Sequence, residues 1–175
     1  RTLTTVFAEY QIVDGLAFKT TFNLDNADQS SKFYRPAWVS GGGPANRQAS
    51  GNFSGYKRQT FVNENTLSFN KTFSDVHNFS AVAGMSYNTN KFEQFRITGS
   101  DGFTTDFITT LNDAIGINTA NNRTFTSERK NVLLSYFGRL GYNYNSRYLI
   151  QAVIRRDGSS RFGDDTKWGL FPSLS

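Results

Sequence analysis

Arg155, Arg156, Asp157 and Arg161 crowd into one stretch, RRDGSSRFGDDTKWG, residues 155–169. Guanidinium groups at that density suit contact with a ligand or a lipid headgroup. The plainer and favoured reading is a charged hairpin, in which Asp157-Gly158 turns the chain and the arginines pair with Asp157, Asp164 or Asp165. Other chemistry-bearing residues are thinly spread. Glu9 and Glu64 have the side chains of a glycosidase pair, but they fall on separate strand patterns with nothing to bring them together. Asp101, Asp106 and Asp113 offer hard oxygens for calcium, yet their spacing matches no EF-hand loop, and solvated loop acids are the better reading. Gly41-Gly42-Gly43-Pro44 lacks the Lys-Ser/Thr that completes a phosphate loop, and reads as a hinge or a flexible tip. His77 is the one histidine and cysteine is absent, which removes thiolate sites, disulfides, a histidine-based zinc site and a histidine triad. Asn70-Lys71-Thr72 matches a glycosylation triplet, a chance event in an Asn- and Thr-rich chain. No catalytic, metal or cofactor residue is assigned, and an enzyme reading has no constellation to support it.

The composition says what must hold these residues. The chain has 175 residues, 15% of them aromatic, with 3 prolines. Many aromatics in an otherwise polar, Asn/Thr/Ser/Gly-rich chain ration apolar side chains to particular positions, the habit of strands. The net charge is +5, but Lys and Arg are scattered rather than clustered, which argues against nucleic acid. No apolar run reaches the length of a membrane-spanning helix. A β-barrel needs no such run, because its strands alternate.

Alternation is what the sequence shows. Leu16, Phe18, Phe22 and Leu24 share one parity against Ala17, Lys19, Thr21, Asn23 and Asp25, and Asp14-Gly15 before them is a hairpin signal. Phe61, Leu67, Phe69 and Phe73 oppose Glu64, Thr66, Ser68 and Asn70. Phe79, Ala81, Ala83, Met85 and Tyr87 continue in phase after a short turn, SDVHN. Val132, Leu134, Tyr136, Leu140, Tyr142 and Tyr144 oppose Ser135, Arg139 and Asn143. Asn145 to Arg147 turn the chain into Tyr148, Ile150, Ala152 and Ile154, and KWGLFPSLS begins one more strand. Between them, residues 26–59 and 91–128 read as long loops. Phe33, Tyr34, Trp38 and Tyr56 in the first are candidates for sugar stacking, for docking a partner, or simply for packing the loop on itself.

Six or seven strands therefore form an antiparallel up-and-down meander. One apolar and one polar face would suit a secreted soluble β-sandwich, a binding or adhesion module, as well as a barrel. Short turns alternating with long loops, and aromatics near strand ends (Tyr10, Tyr87, Tyr144, Tyr148, Trp168), favour a transmembrane barrel. On that reading Leu16, Phe18, Phe22, Leu134, Tyr136, Leu140, Ile150 and Ile154 face lipid. Arg155 takes the lumen parity, and Arg156 ends the lipid parity, where it can snorkel outward. So few strands do not close the usual barrel, and an open sheet leaves bare edges in lipid. Residues 1–175 are accordingly expected to be a segment of a larger barrel.

A long motif supplies a family. SYFGRLGYNYNSRYLIQAVIRRDGSSRFGDDTKWGLFPSLS, residues 135–175, closely resembles a signature of the SusC/RagA family of TonB-dependent outer-membrane transporters of Bacteroidota. The matching residues at its outer rim include Arg155, Arg156, Asp157, Gly158, Arg161, Phe162, Gly163 and Trp168. ENTLSFNKTF with HNFSAVAGMSY, and EYQIVDGLAFKTTF, resemble preceding hairpins. The resemblance implies a large (about 22-stranded) barrel with a plug domain that this chain lacks, in the bacterial outer membrane. It further implies a SusD-like lipoprotein cap, TonB as the energy source, and import of oligosaccharides or oligopeptides.

Overall fold

The computed structural model describes residues 1–39 and 48–175. The Gly41–Pro44 run lies outside the described residues. Eight strands form one antiparallel sheet: β1 (Thr2–Val13), β2 (Leu16–Arg35), β3 (Ser50–Phe73), β4 (His77–Phe103), β5 (Ala114–Ile117), β6 (Phe125–Tyr144), β7 (Tyr148–Ser159) and β8 (Trp168–Leu174). Their order is β1-β2-β3-β4-β6-β7-β8, with β5 paired on β4. Among the described residues no helix is long and apolar enough to cross a membrane.

The tight turns follow from local chemistry. Gly15 has φ +81° and its missing Cβ makes room for the carbonyl of Asn70, which in turn donates its N–H to the Gly15 carbonyl at 2.8 Å. Ser74 and Asp75 both have positive φ, as do Asn145 and Ser146. Successive positive φ values are what a twisted two-residue hairpin turn requires.

The expected strands are present, but four of them run further than their alternation reveals. Residues 27–35, 50–58, 91–103 and 125–128, read above as loop, are strand. Alternation marks a strand only where one face is apolar and the other wet; these stretches carry polar and charged side chains on both parities. Phe33 and Tyr34 therefore sit in β2 and Tyr56 in β3, not in a loop, while Trp38 lies in a single 3-10 turn, Ala37–Val39. At 27 residues, β4 far exceeds the roughly 9–11 that cross a bilayer.

The chain divides into two units. The first comprises Arg1–Asn26, Gln59–Asn90 and Lys130–Ser175. It is a single layer with two unlike faces. Register places Val6 opposite Phe22 and Tyr10 opposite Phe18, Leu140 opposite Ala152 and Tyr142 opposite Ile150, and Ile154 opposite Pro172. Phe22 is 45% exposed, Leu140 55% and Ile150 58%; Tyr136, Phe18 and Ile154 are exposed too, and Leu16 and Leu134 half-buried. Among the described residues Ala49 is the one buried apolar side chain and Ser135 the one buried polar side chain. Among the described residues no second sheet covers the apolar face, so the sandwich expectation fails. Burying one such Leu, Ile or Phe is worth about 1.5–3 kcal/mol, so a whole face of them demands an apolar surrounding.

The opposite face of the first unit is polar and internally bonded. Glu9 and Lys19 pair at 3.9 Å, Thr5 donates to Asn23 at 2.7 Å, and Arg1 binds Asp25 through two nitrogens. Asn90 donates to Thr60 at 2.7 Å. The second unit comprises Ala27–Arg58 and Lys91–Arg129. Neither of its faces is apolar throughout.

Candidate functional site

The signature stretch folds as a strand end followed by a loop: Asp157 and Gly158 do not turn the chain but lie within β7, paired with β6 on one side and β8 on the other. Arg155 lies on β7 between Phe137 of β6 and Phe171 of β8. Its Nε donates to both oxygens of Asp157, at 2.8 and 2.9 Å, and a terminal nitrogen reaches Ser135 Oγ at 3.2 Å. Ser135 is the register partner of Asp157 and is almost wholly buried. Arg156 takes the other face, where its guanidinium carbon sits 4.6 Å from the Trp168 ring centroid, a cation–π contact. Tyr136 stacks on the same ring at 6.2 Å. A Cβ on Gly158 would stand 2.7–2.8 Å from that ring, so the glycine lets the indole lie across the strand. Gly163 has nothing near a Cβ, and Phe162 is exposed. Arg161 is exposed as well, its backbone N–H bonded to Ser159 Oγ. Asp164 pairs with Lys167, which holds its carboxyl below the usual range through that hydrogen bond first and the lysine charge second. The expected pairing is thus divided: Arg155 takes Asp157, Arg156 takes an aromatic ring, and Asp164 takes a lysine.

The remaining candidates acquire separate partners. Ser86 donates to Glu64 at 3.5 Å, and Glu9 has Lys19, so the two carboxylates form no pair. Asp113 accepts from Thr104 Oγ1 and from the Thr105 N–H, Ser100 donates to Asp101, and Tyr34 donates to Asp106 at 2.5 Å. Among the described residues no cluster of three metal-ligating side chains exists. His77 bonds Tyr142 through Nδ1 at 2.7 Å. Of the aromatic candidates, Tyr34 packs edge-on to Phe103 at 5.0 Å. The bond to Asp106, then burial, then the charges of Asp106 and Asp113, push the Tyr34 phenol up to about 12.

Tyr56 leads to a group that the loop reading conceals. In the second unit its ring stacks on Phe92 at 5.7 Å. Arg58 lies 5.6 Å from the Phe92 centroid and Arg129 5.3 Å. Neighbouring strands β3, β4 and β6 supply these side chains. A shallow recess of about 190 Å³ on this unit is lined by Gln29, Ser54, Tyr56, Gln94, Arg96 and Phe125, among others. On the other face Lys91 joins Glu93 and Glu128, and Phe53 meets Phe95. Lys91 is held above its ordinary pKa and Glu93 below its own, each first by their mutual hydrogen bond. Nothing in Phe92, Arg58 or Arg129 alone marks them; their shared parity in adjacent strands is the signal.

The comparisons bear on the whole. TonB-dependent receptor P39 of Formosa agariphila is 34% identical over 172 residues, 96% of this chain and 16% of the relative. TonB-dependent receptor SusC of Bacteroides thetaiotaomicron is 56% identical over 46 residues, 26% of this chain and 5% of that protein. The chain belongs with the TonB-dependent receptors of the SusC/RagA type. A solved structure of the RagAB peptide transporter shares the fold, with a TM-score of 0.84, 98% of this chain and 19% of that one covered, and 21% identity. No protein-family model matches. Receptors of this type reside in the bacterial outer membrane, which supplies the apolar surrounding that the exposed face of the first unit requires. Against the full-length relatives this chain is a short span of SusC-like receptor, and its all-β meander is that of their barrel wall.

Proposed function

We propose that the chain forms part of the wall of a TonB-dependent importer for oligosaccharides or oligopeptides, working with a SusD-like surface lipoprotein and drawing energy through TonB. The single observation that carries this reading is the exposed apolar face of the first unit opposite a hydrogen-bonded polar one. Leu16, Phe18, Phe22, Leu134, Tyr136, Leu140, Ile150 and Ile154 meet lipid. Arg139, Arg155, Asp157, Glu64 and Lys19 line water. Trp168, Tyr136 and Arg156 form an amphipathic corner suited to the headgroup level, where an aromatic ring and a guanidinium both find a wet side and an apolar side. The aromatic candidates Phe33, Tyr34, Trp38 and Tyr56 belong to strand stretches and a turn with charge on both faces, a composition that supports a watery setting in which they meet substrate or the partner lipoprotein. The wall makes and breaks no bonds; its part is to bind, to exclude lipid and to guide.

The chain has no cysteine, so a thiol introduced within it meets no native thiol of this span, and the unsubstituted receptor carried through the same labelling supplies the background. In the full-length receptor reconstituted in lipid, a fluorophore on Leu140→Cys is expected to be quenched by brominated acyl chains and one on Arg139→Cys by aqueous iodide. Equal quenching of both by iodide alone would remove the membrane wall. Loss of oligosaccharide or oligopeptide uptake on deleting the receptor tests the import itself.

A further inference from the structure

The charges of the second unit are sorted by face and by type. Arg58 and Arg129 flank Phe92, and Arg96 lines the recess beside Tyr56. Strand alternation puts the acids Asp28, Glu93 and Glu128 and the lysines Lys32, Lys57 and Lys91 on the other parity. There Lys91 already pairs with both Glu93 and Glu128, and Asp101, at the bulge in β4, accepts from Ser100. The arginine face therefore carries several guanidinium groups and, among the described strand residues, no carboxylate. Such a face repels itself and holds a standing demand for anions. Arginine is also the cation whose planar fork matches a carboxylate or sulfate group bidentately, whereas lysine is a hydrated point charge.

We propose that this face binds an anionic oligosaccharide, through carboxylate or sulfate groups held by Arg58, Arg96 and Arg129. The proposal rests on the import reading above and names its substrate class. A sugar fits better than an acidic peptide for two reasons. The cluster lies on β3, β4 and β6, which are interior strands with neighbours on both sides, so no free backbone edge is present to pair with an extended peptide. The recess instead offers side-chain amides and hydroxyls, from Gln29, Ser31, Ser54 and Gln94, beside the rings of Tyr56 and Phe125. Amides and hydroxyls match sugar hydroxyls, and the rings offer flat surface to a pyranose. Phe92, held between two guanidinium groups, keeps both forks pre-positioned, which cuts the ordering cost of binding.

The test uses the full-length receptor, purified from outer membranes, and four probes: hexagalacturonate, a sulfated galactan hexasaccharide, maltohexaose and hexaglutamate. Calorimetric titration is expected to show binding of one or both acidic sugars, weakened as salt rises from about 50 to about 500 mM. Arg58→Gln with Arg129→Gln is expected to lower that affinity at least about tenfold, while Arg58→Lys restores only part of it. Folding is checked by circular dichroism, and Phe92→Leu, which keeps every charge, is expected to weaken binding less than the double variant. Two binding results overturn the proposal: acidic-sugar affinity that is absent or unmoved by the double variant, and hexaglutamate bound more tightly than either acidic sugar with the same arginine dependence. Uptake by intact cells is scored separately. Import of maltohexaose alone sinks the anion proposal and leaves the importer standing; a receptor that imports none of the four yet binds acidic sugar through these arginines sinks the importer and leaves the binding face.

Discussion

At the scale of single residues, two positions carry distinct predictions. Gly158 is demanded by its neighbour rather than by its own backbone, since a Cβ there would enter the Trp168 ring. Gly158→Ala is therefore expected to lift the indole from the strand, separate it from Arg156 and shift its emission in the full-length receptor, where the difference from a Trp168→Phe variant isolates the signal. Unchanged emission and quenching would show that the indole does not need the gap. Gly163→Ala, where a Cβ meets nothing, is the matched control. Tyr34 carries the pH prediction. Its phenol is a donor to Asp106, so losing the proton breaks the bond. An ordinary tyrosine titrates near pH 10, and this one is pushed up to about 12. The folded pKa is the higher of the two, so the contact contributes in full below about pH 10 and is lost as pH rises through about 12. Phenolate absorbance, taken as the difference between wild type and Tyr34→Phe, should report that late titration, and Asp106→Asn should bring it earlier. A difference titrating near the ordinary value would mean that the hydrogen bond is not made.

At the scale of elements, legibility tracked the contrast between faces. Leu134, Tyr136 and Leu140 against Ser135 and Arg139 made β6 readable, and Asp14-Gly15 and Asn145-Ser146 marked the tight turns, because the physics is local. The extension of β2 through Ser30 to Arg35, and of β4 through Gln94 to Phe103, was invisible. There both parities are wet, and a strand with two wet faces has no period to display. The same blindness hid the Arg58–Phe92–Arg129 group, whose members meet only through neighbouring strands. The contrast also sets a mutational asymmetry in the first unit. Leu140→Arg puts a charge on the apolar face and is expected to destabilise the folded receptor by about 2–4 kcal/mol if it sits at mid-bilayer. Arg139→Leu, one residue along on the polar face, is expected to change stability little. Denaturant titration in lipid vesicles checks both, and equal costs would contradict the assignment of faces.

At the scale of the whole molecule the governing fact is that the sheet does not close within this chain. β1 pairs with β2 alone and β8 with β7 alone, so each leaves a row of backbone N–H and C=O groups without strand partners. In hydrocarbon each such group costs several kcal/mol, which is why spanning sheets are closed. Three edge features make the exposure worse: Leu3, Val6 and Tyr10 on β1 and Leu170, Phe171 and Leu174 on β8 are exposed apolar side chains, β1 is long, and among the described residues no helix or loop covers either edge in the way that protects soluble sheets. The chain spans 16% of the length of TonB-dependent receptor P39, and on the proposed reading it is one part of a closed wall. Expressed alone and refolded into detergent or lipid, residues 1–175 are thus expected to pair edge to edge, giving polydisperse oligomers with strand-rich circular dichroism and no folded monomer that resists denaturing gels. The full-length receptor is expected to give such a monomer. Light scattering and heat-shift electrophoresis distinguish the two, and a stable monomeric barrel from this chain by itself would mean that β1 and β8 find each other, contrary to the open order seen here.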